Sequence, residues 1–547
     1  MADEAVNLPG PAAETAEWSA LAALAAANER HDVRASLADS ERQSRLVVEA
    51  CGLRADFTRQ LCDVPTLDLL LALARTQEVG RSAAAMFRGE HVNATQDRPA
   101  LHTALRIPPG ESLVVGAIDV AVGVHSELDR MASFCDAVAA GERVGHNGKK
   151  FTAVVNIGIG GSNLGPRMAT EALRPFAATG LDVRFVSNVD PADLDRALTG
   201  LDPETTLFVI CSKSFTTLET LTNAKAARAW LISGAGGDES AVGAQMVAVS
   251  TGEDEVAEFG IDPKESMFGF WDWVGGRYSV GSAVGLTLML SIGPDNFRAF
   301  LAGMREMDEH FASAPPESNL PLLLGLIWLW NGSIFGHETA AVLPYSSDLR
   351  EFPMYLQQLD MESNGKSVRA DGTPVGVQTG PVVWGDAGTD SQHSFHQLLH
   401  QGTRVVPCDL IGFAKTARAG DQDRQDLLTA NMVAQAEALS VGRTVDEVGG
   451  DPTLAPHRTF PGGRPVTVIL AEQLDPRTLG RLIALYEHKV FVQAAIWGIN
   501  PFDQWGVDLG KELAGVIAPE LAGENVAGDH DPSTEALLDA VRQLRSH

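Results

Sequence analysis

Cysteine is scarce: the 547 residues hold five, Cys51, Cys62, Cys135, Cys211 and Cys408, an odd number, widely scattered and never in a CxxC pair. That excludes a disulfide framework and a structural zinc site, and it fits a reducing, cytoplasmic setting. Positive charge is also short, with 42 Lys and Arg against 71 Asp and Glu for a net charge of −29. Nucleic acids and anionic membranes are bound by basic faces, so neither is an expected partner. A small anion stays admissible if a few cations and backbone N–H groups gather in one cleft. Long apolar runs are missing as well. The most apolar stretch, Leu320 to Gly336, is interrupted by Asn331 and Ser333 and falls short of the roughly 20 residues of a bilayer crossing, so it reads as a buried core helix. The acidic start MADEAVNLPGPAAETAEW lacks a basic segment leading into an apolar one, so no signal peptide is read there. Gly (53) and Pro (28) are too few for a low-complexity chain.

What is present has two rhythms. From Ala12 to about Arg88, apolar residues recur three and four apart, as in LAALAAANER and LDLLLALAR, which predicts amphipathic helices. Then short β-branched runs follow at Phe151–Ile157, Val183–Asn188, Thr206–Cys211 and Met246–Ser250, separated by helix-compatible segments. Continuous apolar strands alternating with helices predict a parallel sheet covered on both faces, hence an α/β fold. Strand candidates at Arg404–Leu410 and Pro465–Leu470 suggest a second α/β unit. In such sheets ligands sit beyond the carboxyl ends of the strands.

The segments just after those strands carry the chemistry. Asn156-Ile-Gly-Ile-Gly-Gly-Ser-Asn-Leu-Gly165 follows a strand and opens a helix, so its glycines let N–H groups approach an anion. It is not the dinucleotide fingerprint, because Asn163 stands where the third glycine would be. Read alone, it is equally a tight turn without a ligand. Ser212-Lys213-Ser214-Phe215-Thr216-Thr217 offers four hydroxyls and a cation before a helix, a phosphate cradle beyond what N-capping alone requires. In WDWVGGRYS, Arg277 is either a structural ion pair or an oxyanion stabiliser. QQLDMESNGK (357–366) brings Asp360 and Glu362 among amides, and a carboxylate in a dry pocket can act as a general base. His393, His396 and His400 share a helical face without a metal-binding HExxH pairing, so a proton-transfer histidine is the expectation, with a core histidine as the alternative. Lys511, after the Trp- and Gly-rich 497–510, is a surface lysine or a last cation of the cleft.

In series, MFRGEHVNATQDRPALHTALR (86–106), NIGIGGSNLGP, SKSFTT, WDWVGGRYS, LQQLDMESNGK, QHSFHQLLHQGT, FPGGRPVTVIL and FVQAAIWGINPFDQWGVDLGK closely resemble the glucose-6-phosphate isomerase (phosphoglucose isomerase) family over about residues 86–515. The resemblance implies two sugar-isomerase parallel-sheet α/β/α domains with helical extensions. The expected division is a helical region 1–115, a smaller domain 116–290, a larger one 291–515 and a tail 516–547. It implies a homodimer and metal- and cofactor-free interconversion of glucose 6-phosphate and fructose 6-phosphate, a step of glycolysis and gluconeogenesis. Gly161, Ser162, Ser212, Lys213, Ser214 and Thr217 would surround the phosphate, and Gln358 would hold the sugar. Glu362 would be the base moving a proton between C1 and C2, and Arg277 would stabilise the cis-enediolate. His393, from the other subunit, and Lys511 would open the ring. The chain departs from the family pattern at Asn163, Ser214, Gly281, His396 and Pro501, none of which removes a chemical role. Two alternatives stay open on sequence: additional mannose 6-phosphate activity, and a catalytically silent sugar-phosphate-binding protein.

Overall fold

A computed structural model of the chain describes residues 8–28, 33–524 and 528–546. The first seven residues of the start read for a signal sequence, the last two residues of LAALAAANER, and residues 525–527 and 547 of the expected tail lie outside the described residues. The chain divides into two compact units, Met1–Pro501 and Phe502–His547.

The strands, in chain order, are β1 (Val47–Ala50), β2 (Leu53–Arg59), β3 (Val114–Val115), β4 (Ile118–Asp119), β5 (Ala153–Ile157), β6 (Asp182–Val186) and β7 (Thr206–Cys211). They continue with β8 (Met246–Val249), β9 (Met267–Phe268), β10 (Thr339–Pro344), β11 (Val382–Trp384), β12 (Cys408–Lys415) and β13 (Val466–Gln473). Apart from the small β3–β4 ladder, they form two sheets within the first unit, ordered β6-β5-β7-β8-β9 and β1-β2-β13-β12-β10-β11.

The five-stranded sheet is parallel throughout. Every residue of β5, β7 and β8 is buried, which is why these strands read as unbroken apolar runs rather than as alternations. Val155, Ile157, Phe208 and Ile210 pack against Ala224, Ala227 and Leu231 of the helix Leu218–Gly234. Burial of each such side chain stabilises by roughly 1.5–3 kcal/mol for the larger ones. The chain runs from β5 outward to β6, then returns past β5 to β7, so the winding reverses between β5 and β7. That reversal opens a crevice at the carboxyl ends of these two strands.

The six-stranded sheet is mixed. Its parallel part, β13-β12-β10-β11, contains the two expected strands near 404–410 and 465–470 and adds β10 and β11, which sequence reading did not mark. Its winding likewise reverses at β10, between β11 and β12. The antiparallel hairpin β1–β2 joins at β13, and it corrects the expectation of helices throughout 12–88. Residues 47–59 alternate buried Val48, Leu53, Ala55 and Phe57 with exposed Glu49 and Arg54, the period of a strand. Cys51 (φ 51°) and Gly52 (φ 72°) turn the hairpin with two left-handed residues, as a tight two-residue turn requires. Helices do flank it, at Ala16–Asn28, Ser40–Leu46 and Val64–Thr76. The apolar segment from Leu320 is the buried helix Leu320–Leu329, which widens into a π-helical turn at Trp330–Ile334.

In the second unit, the helices Asp508–Leu521 and Pro532–Arg545 are tied by Glu520, whose carboxylate meets His530 at 3.0 Å and Arg542 at 3.5 Å. No helix among the described residues is long and apolar enough to cross a membrane.

Candidate active site

Both loops expected to hold an anion leave the crevice between β5 and β7. After β5, Gly158 sits where a Cβ would lie 2.9 Å from the Ser162 side chain, and Gly160 takes φ +59°. Asn156 fixes the turn by donating from Nδ2 to the Ser162 carbonyl (3.1 Å), while its Oδ1 accepts from Thr287 (2.9 Å). The helix Leu164–Ala172 starts directly behind, as expected. After β7, Ser212 is buried and its hydroxyl lies 3.1 Å from that of Thr217, the residue preceding the helix Leu218–Gly234. Ser214 and Thr216 pair their hydroxyls at 2.5 Å. Between them Phe215 takes a left-handed φ of +52° with its ring buried in the core below, a strained conformation held by that packing. The Lys213 carbonyl is gripped by the Thr251 N–H and hydroxyl and by Ser250.

Lys213 turns its ammonium toward the WDWVGGRYS segment, donating to the carbonyls of Asp272 (3.2 Å) and Val274 (3.4 Å). Burial lowers its proton affinity, the carboxylate of Asp272 at 3.4 Å partly offsets this, and neighbouring Arg98 adds to the lowering. The same segment abuts the first loop: a Cβ on Gly161 would lie 2.1 Å from the Gly276 carbonyl oxygen. Glycine at 161 is thus what lets the loop and the residue preceding Arg277 touch.

Arg277 is buried, its side chain 1% exposed. Its Nη1 lies 3.3 Å from Glu362 Oε2. Nε donates to Ser363 Oγ at 2.6 Å, and Nη2 to the Pro501 carbonyl at 2.5 Å. Glu362 closes a π-helical turn, Gln357–Glu362, whose widened pitch is uncommon and concentrates at functional sites. On that turn Gln358 directs Nε2 to 3.2 Å from where a Cβ of Gly160 would stand, and its Oε1 is buried with no hydrogen-bond partner among the described residues. A buried amide oxygen without a partner costs free energy unless a ligand hydroxyl supplies one. Beneath the turn, Asp360 is ion-paired with the buried Lys489.

Gly161, Ser162, Ser212, Lys213, Ser214, Thr217, Gln358, Arg277 and Glu362 therefore stand on segments that converge at one end of the first sheet. His393 does not join them. It is exposed on the turn Asp390–His393 and lines a cavity of about 560 Å³ at the carboxyl ends of β10 and β12, whose lining includes none of those nine residues. His396 and His400 instead share one acceptor, Gln435 Oε1, at 3.2 and 2.8 Å. Lys511 belongs to the second unit, on the helix Asp508–Leu521, its side chain 71% exposed and 3.8 Å from Asp508.

Sequence reasoning did not single out Ser363, Tyr278, Asp360's partner Lys489 or Arg98. Ser363 and Tyr278 lie next to residues it chose, yet only the tertiary fold reveals that they touch.

The model of the family described as phosphoglucose isomerase matches residues 56–538. The chain is 56% identical over 515 residues to the glucose-6-phosphate isomerase 1 of Streptomyces avermitilis, covering 93% of each. It is 54% identical over 516 residues to the glucose-6-phosphate isomerase of Rhodococcus opacus, covering 93% of this chain and 94% of that one. The crystal structure of a glucose-6-phosphate isomerase from Chlamydia trachomatis matches with a TM-score of 0.86 at 33% identity, over 98% of this chain and all of that one.

Proposed function

The chain belongs to the phosphoglucose isomerase family, and from that premise we propose how its residues carry out the reversible isomerisation of glucose 6-phosphate to fructose 6-phosphate. The observation that carries the reading is the Arg277–Glu362 contact at 3.3 Å, set beside the two loops of the crevice. An aldose–ketose shift needs one group that takes a carbon-bound proton and returns it one carbon away, and a fixed cation for the charge that develops meanwhile. Glu362 is that base, moving the proton between C1 and C2. Arg277 stabilises the enediolate, and a guanidinium cannot surrender its own proton to the base.

The phosphate does not react. Ser212, Lys213, Ser214 and Thr217, with Gly161 and Ser162, hold it so that its binding energy orients the sugar. Gln358 takes a sugar hydroxyl at its unpartnered oxygen. Ring opening falls to His393 and Lys511, with His393 supplied by the second subunit of a homodimer. Its position at the far sheet's cavity supports that assignment. We keep the expected domains 116–290 and 291–515 and the tail 516–547 as part of this reading; the presence of two separate sheets supports it, with the region 1–115 lending the second sheet two strands. The scarcity of cysteine supports work in the cytoplasm, within glycolysis and gluconeogenesis.

The test is an assay on EDTA-treated protein, coupling fructose 6-phosphate conversion to a glucose-6-phosphate dehydrogenase and following mannose 6-phosphate in parallel. Conversion to glucose 6-phosphate is expected; sugar-phosphate binding without turnover would overturn the reaction. For the shared site, mixed Glu362→Gln and His393→Ala proteins should regain turnover, since a hybrid dimer holds one site with both residues intact. No recovery in hybrids would return His393 to its own chain.

A further inference from the structure

We infer that Ser363 is a positioning residue that holds the Arg277 guanidinium to a one-pronged contact with Glu362 and thereby keeps the base able to accept a proton; this deepens the reading above and rests on it.

The guanidinium offers two paired edges, a side-on one of Nε with Nη2 and an end-on one of Nη1 with Nη2. Paired edges seek carboxylates, because two parallel N–H donors match the two carboxylate oxygens. Here the side-on edge is already taken: Nε donates to Ser363 Oγ at 2.6 Å and Nη2 to the Pro501 carbonyl at 2.5 Å, while Nη1 faces Glu362 at 3.3 Å. That distance exceeds the roughly 2.7–2.9 Å of a tight charge-assisted bond. The cation thus stands close enough to stabilise an enediolate while making a single, longer contact with the carboxylate rather than a two-pronged clamp.

The serine is itself fixed. It is fully buried, follows Glu362 directly in the chain, and its Oγ lies 3.0 Å from the Tyr278 hydroxyl. Tyr278 is buried, adjoins Arg277 in sequence and packs its ring against His102 at 4.6 Å. Burial pushes the Tyr278 phenol up to about 12, so it remains a donor. Both neutral anchors of the arginine edge therefore come from residues with no charge of their own to compete with Glu362. Without the Ser363 hydroxyl, Nε loses that acceptor in a buried site, and the side-on edge is released to turn toward Glu362, the carboxylate already in contact with the guanidinium.

The test compares wild type, Ser363→Ala, Ser363→Thr and Tyr278→Phe in the coupled assay across pH, with thermal unfolding of each. Ser363→Ala should lower kcat about 10- to 100-fold, the scale of a small misplacement at a reacting centre. KM should stay within about threefold, since the phosphate loops are untouched, and the acidic limb of the kcat profile should move to lower pH as Glu362 is clamped. Ser363→Thr, which keeps the hydroxyl, should recover most of kcat. Tyr278→Phe, which frees the serine hydroxyl without removing it, should shift the limb the same way by less and serves if the alanine variant fails to fold. A folded Ser363→Ala with wild-type kcat and an unmoved limb overturns the inference alone. A wild type that does not convert fructose 6-phosphate overturns the proposed function, and this inference with it.

Discussion

Replacing Lys489 by methionine removes a cation from beneath the turn that carries Gln358 and Glu362, and the loss follows from its surroundings. The side chain is fully buried, paired with Asp360, and its Nζ stands 3.4 Å above the centroid of the Trp328 ring. Burial lowers its proton affinity, while Asp360 and Asp409 oppose that. Taking away one member of a buried pair strands the other, at a cost of about 3–5 kcal/mol. Among the described residues, Asp360 would retain only the Asn364 amide, 3.4 Å away. The lost cation–π contact is worth about 2 kcal/mol when desolvated, and the methionine sulfur returns part of it. The expected total is about 5 kcal/mol.

Urea unfolding followed by tryptophan fluorescence reads this as a midpoint lowered by roughly 1 M or more. Asp360→Asn alone should cost less, because Lys489 keeps Asp409 as a neighbour. The double variant Asp360→Asn with Lys489→Met should be more stable than the sum of the singles by at least about 2 kcal/mol, since no charge is stranded. A buried ion pair is weak support for stability in itself, so its retention under this turn points to placement. The double variant should accordingly regain stability yet keep a kcat well below wild type with KM little changed. A Lys489→Met midpoint within about 0.3 M of wild type, or additive singles, would refute the reasoning.

Glu362→Gln should leave fructose 6-phosphate binding by calorimetry within severalfold of wild type while kcat falls by roughly 10²–10⁴, the usual contribution of a general base. Gly161→Ala forces the loop off the Gly276 carbonyl, which a Cβ would meet at 2.1 Å, so kcat/KM should fall at least about 100-fold with circular dichroism unchanged. Glu487 tests pH linkage: burial pushes its carboxyl up to about 7, with Arg106, bonded at 2.8 Å, partly offsetting this. Its native form holds a proton that the unfolded chain has lost between about pH 4.5 and 7, so this group's contribution to stability falls as pH rises through that window. Glu487→Gln does not titrate, so its Tm relative to wild type should climb from pH 5 to 7.5, by up to about 3 kcal/mol in free energy. Asp409, raised to about 6 by burial, slopes the same way in both proteins and cancels in the difference. A Tm difference that stays flat would rule out the raised carboxyl.

How much of this was legible in the sequence depended on how local each signal is. β5 and β7 were readable because a strand buried on both faces needs apolar residues at every position. The β1–β2 hairpin was not, because its alternation carries Glu49, Arg54 and Arg59 and sits among helical periodicities; the Cys51-Gly52 turn was the available clue. β11 is only three residues long, and the alanines of TAAVLP give β10 weak strand preference. At the site, Glu362 and Arg277 were legible as residue types in polar, glycine-tight settings. Their joint geometry was not, since the acceptors of the Arg277 edge lie 86 and 224 residues away in the chain.

The two sheets share a reversal of winding, and charge pairing favours the first as the place of the proposed phosphate site. At the second reversal, Arg418 is matched by Asp348 at 2.6 and 2.8 Å, Arg424 by Asp421 at 3.6 Å and Lys415 by Glu472 at 2.6 Å. An anion entering there would have to displace a carboxylate from each cation. At the first reversal, Lys213 rests mainly on neutral carbonyls, and its one carboxylate neighbour, Asp272, is 80% exposed at 3.4 Å and well screened. Arg277 likewise spends two of its donors on a hydroxyl and a carbonyl. In a chain of net charge −29, cations that spend donors on neutral acceptors, and whose carboxylate contacts are no closer than 3.3 Å, keep positive potential for the proposed dianionic sugar phosphate.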